Sequence, residues 1–362
     1  MDLKAIGFPS IYVQGPGALA SIPEWVKNLT RKPGIAAIVD PFVLPLFDQV
    51  KADMKKAGGS EMVLHAFSGE CTHSEINRLV AKIGVDECGV VIGAGGGKAL
   101  DTAKAVASAL DVPLVIVPTV ASSDAPTSRI AAIYDENHKI VAVPRMRRNP
   151  DAVIVDTSII LSAPRRFFVA GIGDAITKKF EVADAGSAGI PNFFDGSQTM
   201  LASFLANSCY DILRKDTEAA LSAIDRGTPN AAFERVIEAT VLYSGLAFEG
   251  GGLSIAHGML RGFTAFPQTA KSLHGELVAY GLLVQLALAD QPQSFLLDLK
   301  QFLSGIGLPT CLADIGLGDL PEVDVARIAE LTFEAPYVAA RRSRISPEGL
   351  VAAIARIEAL GA

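Results

Sequence analysis

The 362-residue chain is poor in the features that mark several large protein classes. It has one tryptophan, five histidines and four cysteines. The cysteines (Cys71, Cys88, Cys209 and Cys311) are scattered, with no C-x-x-C pair, which argues for reduced thiols in a cytoplasmic setting. There is no basic excess: 32 Lys and Arg stand against 39 acids, a net charge of −7. A phosphate backbone would find no electrostatic footprint, so a nucleic-acid partner is excluded. Long apolar runs are missing too. The longest, residues 277–289, is interrupted by Gln285 and falls short of the ~20 residues a membrane helix needs. The opening MDLKAIGFPS lacks the apolar core of a signal peptide. Half of the residues are apolar and 20% charged, which excludes a disordered chain. The length suits about two domains, each able to bury a core.

The first 160 residues alternate between strand-like and helix-like segments. Strands are predicted at 34–40, 62–67, 89–93, 113–118 and 152–156, short β-branched runs without period-2 alternation, as in a parallel sheet buried on both faces. A helix is expected from Thr72, where Thr-His-Ser-Glu has capping-box spacing, and another over 99–110. Beyond Ser162 the strand signal fades. Phe233, Val236, Ile237 and Val241 form one helical stripe, residues 274–289 read as a helix buried on all sides, and Ser346-Pro347 opens the last helix. The expectation is α/β plus all-α: a Rossmann-like NAD-binding domain over 1–161 and a helical metal- and substrate-binding domain over 162–362, with the cleft between them as the default site.

Gly93-Ala94-Gly95-Gly96-Gly97-Lys98 follows a buried strand and precedes a helix. Clustered glycines let backbone approach a diphosphate, and the helix N-terminus adds amide donors and a positive dipole. The segment departs from G-x-G-x-x-G at Lys98, and from a Walker loop at Ile92 and Ala99. Asp40, at the end of a predicted strand, suits the adenosine ribose hydroxyls and would repel a 2′-phosphate, favouring NAD over NADP.

Two of the scarce histidines, His257 and His274, lie in apolar, glycine-punctuated segments. Asp174 lies in Gly-Ile-Gly-Asp-Ala, where an acid must be paired, hydrogen-bonded or metal-bound. One Asp and two His leave an open coordination position, as at a catalytic metal, though satisfied core histidines would read the same at separations of 83 and 17 residues. His65, His73 and His138 read as surface residues.

Together these segments resemble the metal-dependent polyol dehydrogenases of the iron-containing alcohol dehydrogenase superfamily, most closely its bacterial glycerol dehydrogenase branch. The resemblance is carried by Phe67-Ser-Gly-Glu-Cys-Thr-His-Ser-Glu-Ile76, Gly95-Gly-Gly-Lys-Ala-Leu-Asp-Thr-Ala-Lys104, Pro118-Thr-Val-Ala-Ser-Ser-Asp-Ala-Pro-Thr-Ser128, Ala170-Gly-Ile-Gly-Asp-Ala175, Ala256-His257 and His274-Gly-Glu276. It implies a dehydroquinate synthase-like fold and reversible, NAD-dependent oxidation of glycerol to dihydroxyacetone through a zinc-bound alkoxide. One zinc per subunit would be held by Asp174, His257 and His274. Lys178 stands where the iron-using branch has a further histidine, which favours zinc. By the same resemblance Asp40, Gly95, Gly96, Gly97, Lys98, Asp101, Thr119, Ser122, Ser128 and Tyr134 would hold the cofactor, and Asp124 a substrate hydroxyl. The implied partner is a small polyol, in a homo-oligomer away from membranes.

Leu260 and Arg261 depart from the His and Asn that this branch places after its first metal histidine. An arginine facing the metal would favour a carboxylate or phosphate. The alternatives are thus a dehydrogenase of another polyol or a hydroxy acid and, against the Asp174 and Ser-Asp-Ala-Pro signals, a dehydroquinate synthase-like lyase.

Overall fold

The computed structural model describes residues 3–29, 32–56, 61–84, 86, 88–136 and 139–361. The chain divides into two compact units. One comprises Gly7–Pro164 with Ala219–Gly245; the other comprises Met1–Ile6, Arg165–Glu218 and Leu246–Ala362.

The first unit is built on a six-stranded parallel sheet of β1 (Ile11–Gly15), β2 (Gly34–Val39), β3 (Met62–Ala66), β4 (Cys88–Gly95), β5 (Leu114–Pro118) and β8 (Ala152–Asp156), in the order β1-β8-β5-β4-β2-β3. Two short strands, β6 (Ile133–Tyr134) and β7 (Ile140–Ala142), form a separate antiparallel ribbon. Helices α1 (Ile22–Val26), α2 (Leu44–Lys56), α3 (His73–Ile83), α4 (Gly97–Leu110) and α5 (Thr157–Ser162) accompany the sheet. The central strands β4, β5 and β8 are buried throughout, which is why their sequences read as unbroken apolar runs. β1 escapes that pattern. It is a half-buried edge strand whose Ile11-Tyr12-Val13 pairs with Ala152, Val153 and Ile154. His65 corrects the surface reading: it points inward from β3 and is buried, and that burial, with Lys82 and Arg78 nearby, lowers its pKa. His73 is exposed as expected, and His138 lies outside the described residues. Thr72 caps α3 as its spacing predicts, accepting from the Glu75 amide at 3.1 Å.

The order of the strands reverses between β2 and β4: the chain runs outward from β2 to β3, then returns through β4 to β5 and β8. Open parallel sheets bind ligands beyond the carboxyl ends of the strands at such a switch point.

The remaining helices are α6 (Arg165–Ile176), α7 (Lys178–Ser187), α8 (Met200–Arg226), α9 (Ala231–Glu238), α10 (Ser244–Gly251), α11 (Ile255–Phe263), α12 (His274–Leu288), α13 (Gln293–Ile306), α14 (Glu322–Glu334) and α15 (Pro347–Glu358). Every residue of α12 from Gly275 to Ala287 is buried, as its almost wholly apolar sequence requires. Ser346 caps α15, which turns Leu350, Ile354 and Ile357 inward. α9 groups with the sheet unit: Gln14 Nε2 donates to Glu234 Oε2 at 3.0 Å, and the inward stripe Phe233, Val236 and Ile237 is fully buried. The five-residue π-turn Ala239–Tyr243 follows it. None of the described helices is long and apolar enough to cross a membrane.

Candidate functional site

Each unit carries one concentration of the expected residues. In the sheet unit they gather at the switch point. Asp40 follows β2, its amide donating to Ala94 O at 2.9 Å and its Oδ1 accepting from the Phe42 amide at 3.1 Å. Gly95 ends β4 at φ +150°, and a Cβ there would stand 2.8 Å from Ala99 Cβ and 2.9 Å from Asp40 Cβ. Only glycine lets the turn, the helix and Asp40 come this close. Gly96 occupies the N-cap of α4 and offers no side-chain cap, so the first-turn amides of that 14-residue helix remain available to an anion. Thr119 is buried behind the loop, its amide bonded to Gly95 O at 3.1 Å. Ser122 is half-buried in the segment after β5. Lys98 reaches Glu70 Oε2 at 2.6 Å and lies 4.8 Å from the centre of the Tyr134 ring. Burial, reinforced by Asp101 and Glu70, raises the Tyr134 phenol pKa.

Asp101 and Ser128 lie differently from the other expected cofactor residues, joined through Lys104. The two Asp101 oxygens accept from Lys104 Nζ at 3.0 Å and the Ala132 amide at 2.9 Å. Lys104, itself 1% exposed, also donates to Ala125 O, Ser128 Oγ and Ile130 O. This buried lysine therefore pins the segment holding Asp124 and Ser128 to α4. Asp124 Oδ2 accepts from Ser244 Oγ at 2.8 Å. Ser244 is delivered by the π-turn, whose Val241 carbonyl accepts from Thr127 Oγ1 at 3.2 Å. Neither Lys104 nor Ser244 was legible as a site residue. The i,i+3 spacing of Asp101 and Lys104 was visible, but it normally marks an exposed ion pair.

In the helical unit Asp174, His257 and His274 offer ligand atoms that all lie within 4.8 Å of one another. Asp174 comes from the last turn of α6, His257 from the first turn of α11 and His274 from the first position of α12. Two glycines permit this: a Cβ on Gly275 would meet Ala170 O at 1.8 Å, and one on Gly173 would meet Gly275 O at 2.5 Å. The start of α12 is held by Glu276, which accepts from the Leu273 amide at 2.7 Å and takes Arg166 of α6 in a two-pronged pair at 2.6 and 2.7 Å.

Asp174 Oδ1 lies 3.4 Å from His257 Nε2 and 3.8 Å from His274 Nε2. Ligand atoms around a tetrahedral zinc with bonds of ~2.1 Å stand ~3.4 Å apart, so the donor set fits. The charges fit as well. Asp174 and Glu181 are both fully buried, with Lys178 as the buried ammonium beside them, on Asp174 Oδ1. With neutral imidazoles, two carboxylates against one ammonium leave net negative charge, which favours a cation among the ligands. Burial opposes ionisation of Asp174, but Lys178 and the two histidines outweigh it and hold the carboxyl well below its usual range. Glu181 is likewise driven up by burial yet held down to about 2 by His257 and Lys178. For His257 burial works against the charged ring, while Glu181 and Asp174 push it up to about 9. Among these groups the sequence had singled out Lys178 through a resemblance; Glu181 carried no signal at all.

Arg261 leaves the metal cluster. Its guanidinium pairs with Glu334 Oε2 at 3.2 Å, and both side chains are more than half exposed.

Comparison with known proteins gives a consistent picture. The family model for iron-containing alcohol dehydrogenase matches residues 9–157. Glycerol dehydrogenase of Citrobacter freundii is 37% identical over 360 residues, covering 99% of this chain and 98% of that protein. Glycerol dehydrogenase of Thermotoga maritima is 40% identical over 325 residues, covering 89% and 88%. The crystal structure of glycerol dehydrogenase from Schizosaccharomyces pombe matches with a TM-score of 0.94 at 31% identity, over 99% of this chain and 91% of that one.

Proposed function

Because the chain belongs to the iron-containing alcohol dehydrogenase family, we propose that it oxidises glycerol to dihydroxyacetone, reversibly, with NAD as cofactor and zinc as its metal. The observation that carries this reading is the convergence of Asp174, His257 and His274, from three helices, on one ligand-sized space. A divalent cation held by these three residues would make a substrate hydroxyl more acidic and, in the reverse direction, would polarise the ketone. NAD supplies the hydride acceptor.

The chain's own residues bind and orient. Gly95, Gly96 and Gly97 bring backbone amides to the diphosphate, with Lys98 adding charge once it exchanges Glu70 for phosphate oxygen. Asp40 accepts from the adenosine ribose and repels a 2′-phosphate. Thr119, Ser122, Ser128 and Tyr134 line the path of the cofactor. Asp101 serves that path indirectly, through Lys104. Asp124, held by Ser244, accepts from a second hydroxyl of the substrate and so orients the reacting C–H bond. Proton exit is assigned to water or the cofactor ribose, because every acid of the metal cluster is already engaged. Arg261 supports a neutral polyol over a hydroxy acid, since its charge is spent on Glu334 at the surface.

The test is a substrate panel with NAD, read by NADH absorbance, before and after chelation and zinc addition. Glycerol should be preferred over lactate-like hydroxy acids, with activity abolished by the chelator and restored by zinc. A preference for hydroxy acids, or chelator-insensitive turnover, overturns the reading.

A further inference from the structure

Glu181 belongs to no ligand set, yet its buried carboxylate accepts four hydrogen bonds. Oε1 takes the backbone amides of Ser254 and His257, each at 3.0 Å. Oε2 takes His257 Nδ1 at 2.7 Å and shares the Thr177 hydroxyl, 2.9 Å away, with the Asp174 carbonyl at 2.8 Å. The two amide bonds cap the start of α11. A cap explains one oxygen and leaves the other unexplained. Oε2 faces an imidazole nitrogen that can donate or accept, and a carboxylate with three other donors around it can only accept. The ring proton is therefore drawn to Nδ1. In the neutral ring that leaves Nε2, the nitrogen 3.4 Å from Asp174 Oδ1, bare and turned toward the other ligands.

We propose that Glu181 is a positioning residue for the metal centre: it fixes the ring orientation and tautomer of His257, so that Nε2 is presented to the cation. The proposal rests on Asp174, His257 and His274 being the ligands. Carboxylates behind metal-binding histidines contribute 10- to 100-fold to metal affinity. Here the same carboxylate also caps the helix that carries the ligand, so ring and backbone are set by one group.

Glu181→Gln separates the two jobs. The amide oxygen can still accept from Ser254 and His257, preserving the cap, while the NH2 group faces Nδ1. In the metal-free protein the ring moves its proton to Nε2 and accepts from that NH2. With metal bound, Nε2 must be bare, and two donors then face each other. The experiment measures zinc affinity by competition with a chromophoric chelator, alongside the melting temperature of the metal-free protein. Glu181→Gln should bind zinc about 10- to 100-fold more weakly, while the metal-free protein still folds and melts in a cooperative transition. Thr177→Val, which loses the hydroxyl shared by Oε2 and the Asp174 carbonyl but keeps the ring contact, should bind zinc as the unaltered protein does. An equal loss in Thr177→Val overturns the proposal, because general loosening would then account for both. Wild-type affinity in Glu181→Gln, with affinity lost in His274→Ala, overturns it and leaves the ligand set standing. Wild-type affinity in His274→Ala overturns the ligand set and this proposal together. If Glu181→Gln does not fold, the unaltered zinc protein decides by ring-nitrogen NMR: a protonated Nδ1 and a metal-bound Nε2 at His257 are expected, and the reverse overturns the proposal.

Discussion

The two units hold their ligand-binding residues by opposite means. In the sheet unit the candidate site is mostly backbone: glycine amides at the end of β4 and the first turn of α4, with Asp40 beside them. In the helical unit it is wholly side chain, an acid and two imidazoles brought from three helices, with Asp174 and His257 buried among counter-charges and His274 exposed. Backbone sites are built from residues close in sequence and tolerate change wherever amides stay in place. Side-chain sites depend on each donor and on the partners that hold it. Substitutions should therefore act sharply in the second unit and more gradually in the first.

The largest effect tests the side-chain site. His274→Ala removes one of three donors, and kcat/KM for glycerol should fall by more than about 100-fold, beyond the cost of losing a supporting residue. Zinc content should fall in parallel while NAD binding persists. A variant that keeps both zinc and turnover would erase the contrast between the units.

Lys104→Met probes whether the sheet unit also relies on buried side chains. It leaves Asp101 and two carbonyls without their ammonium, and breaking a buried pair costs about 3–5 kcal/mol. A lower denaturant midpoint with unchanged zinc affinity is expected. Loss of zinc affinity would show that the two regions do not behave independently.

Asp40→Gly sharpens the comparison from the recognition side. Charge-assisted hydrogen bonds contribute about 1.5–3 kcal/mol, so NAD should bind roughly 10- to 150-fold more weakly and discrimination against NADP should relax. Binding titrations of both cofactors read this directly. An unaltered enzyme that already prefers NADP would remove the role given to Asp40.

The smallest effect is expected at Arg261. An exposed ion pair contributes about 0–1 kcal/mol, so replacing Leu260-Arg261 with His-Asn should alter kcat/KM for glycerol and for a hydroxy acid by similar factors of up to about fivefold. A change in their ratio above about tenfold would place the arginine's charge at the substrate after all.

Much of this protein was readable before its fold was known, where the information is local. Buried parallel strands announce themselves as β-branched runs, the glycine loop as a cluster, and the helix starts at Thr72 and Ser346 as caps, because each reflects a constraint acting over a few residues. β1 was missed because a half-buried edge strand shows neither an unbroken apolar run nor clean alternation. His65 was misread because a lone histidine on a strand looks the same whichever face it takes. The boundary of the sheet unit was incomplete because Ala219–Gly245 is helical in pattern, and only its packing assigns it to the strands.

The amino-acid sequence by itself determined the alternating elements, the glycine turn and the supply of one buried acid and two rare histidines. What only the tertiary structure decided is which groups meet. Gly173 and Gly275 let α6 and α12 approach until Asp174 and His274 share a space with His257. The same packing buries Lys178 and Glu181 as the charges around them and turns Arg261 out to Glu334. The reason is physical: a charged side chain looks alike in sequence whether solvated or enclosed, and desolvation, which makes its partners matter, exists only once the chain has packed.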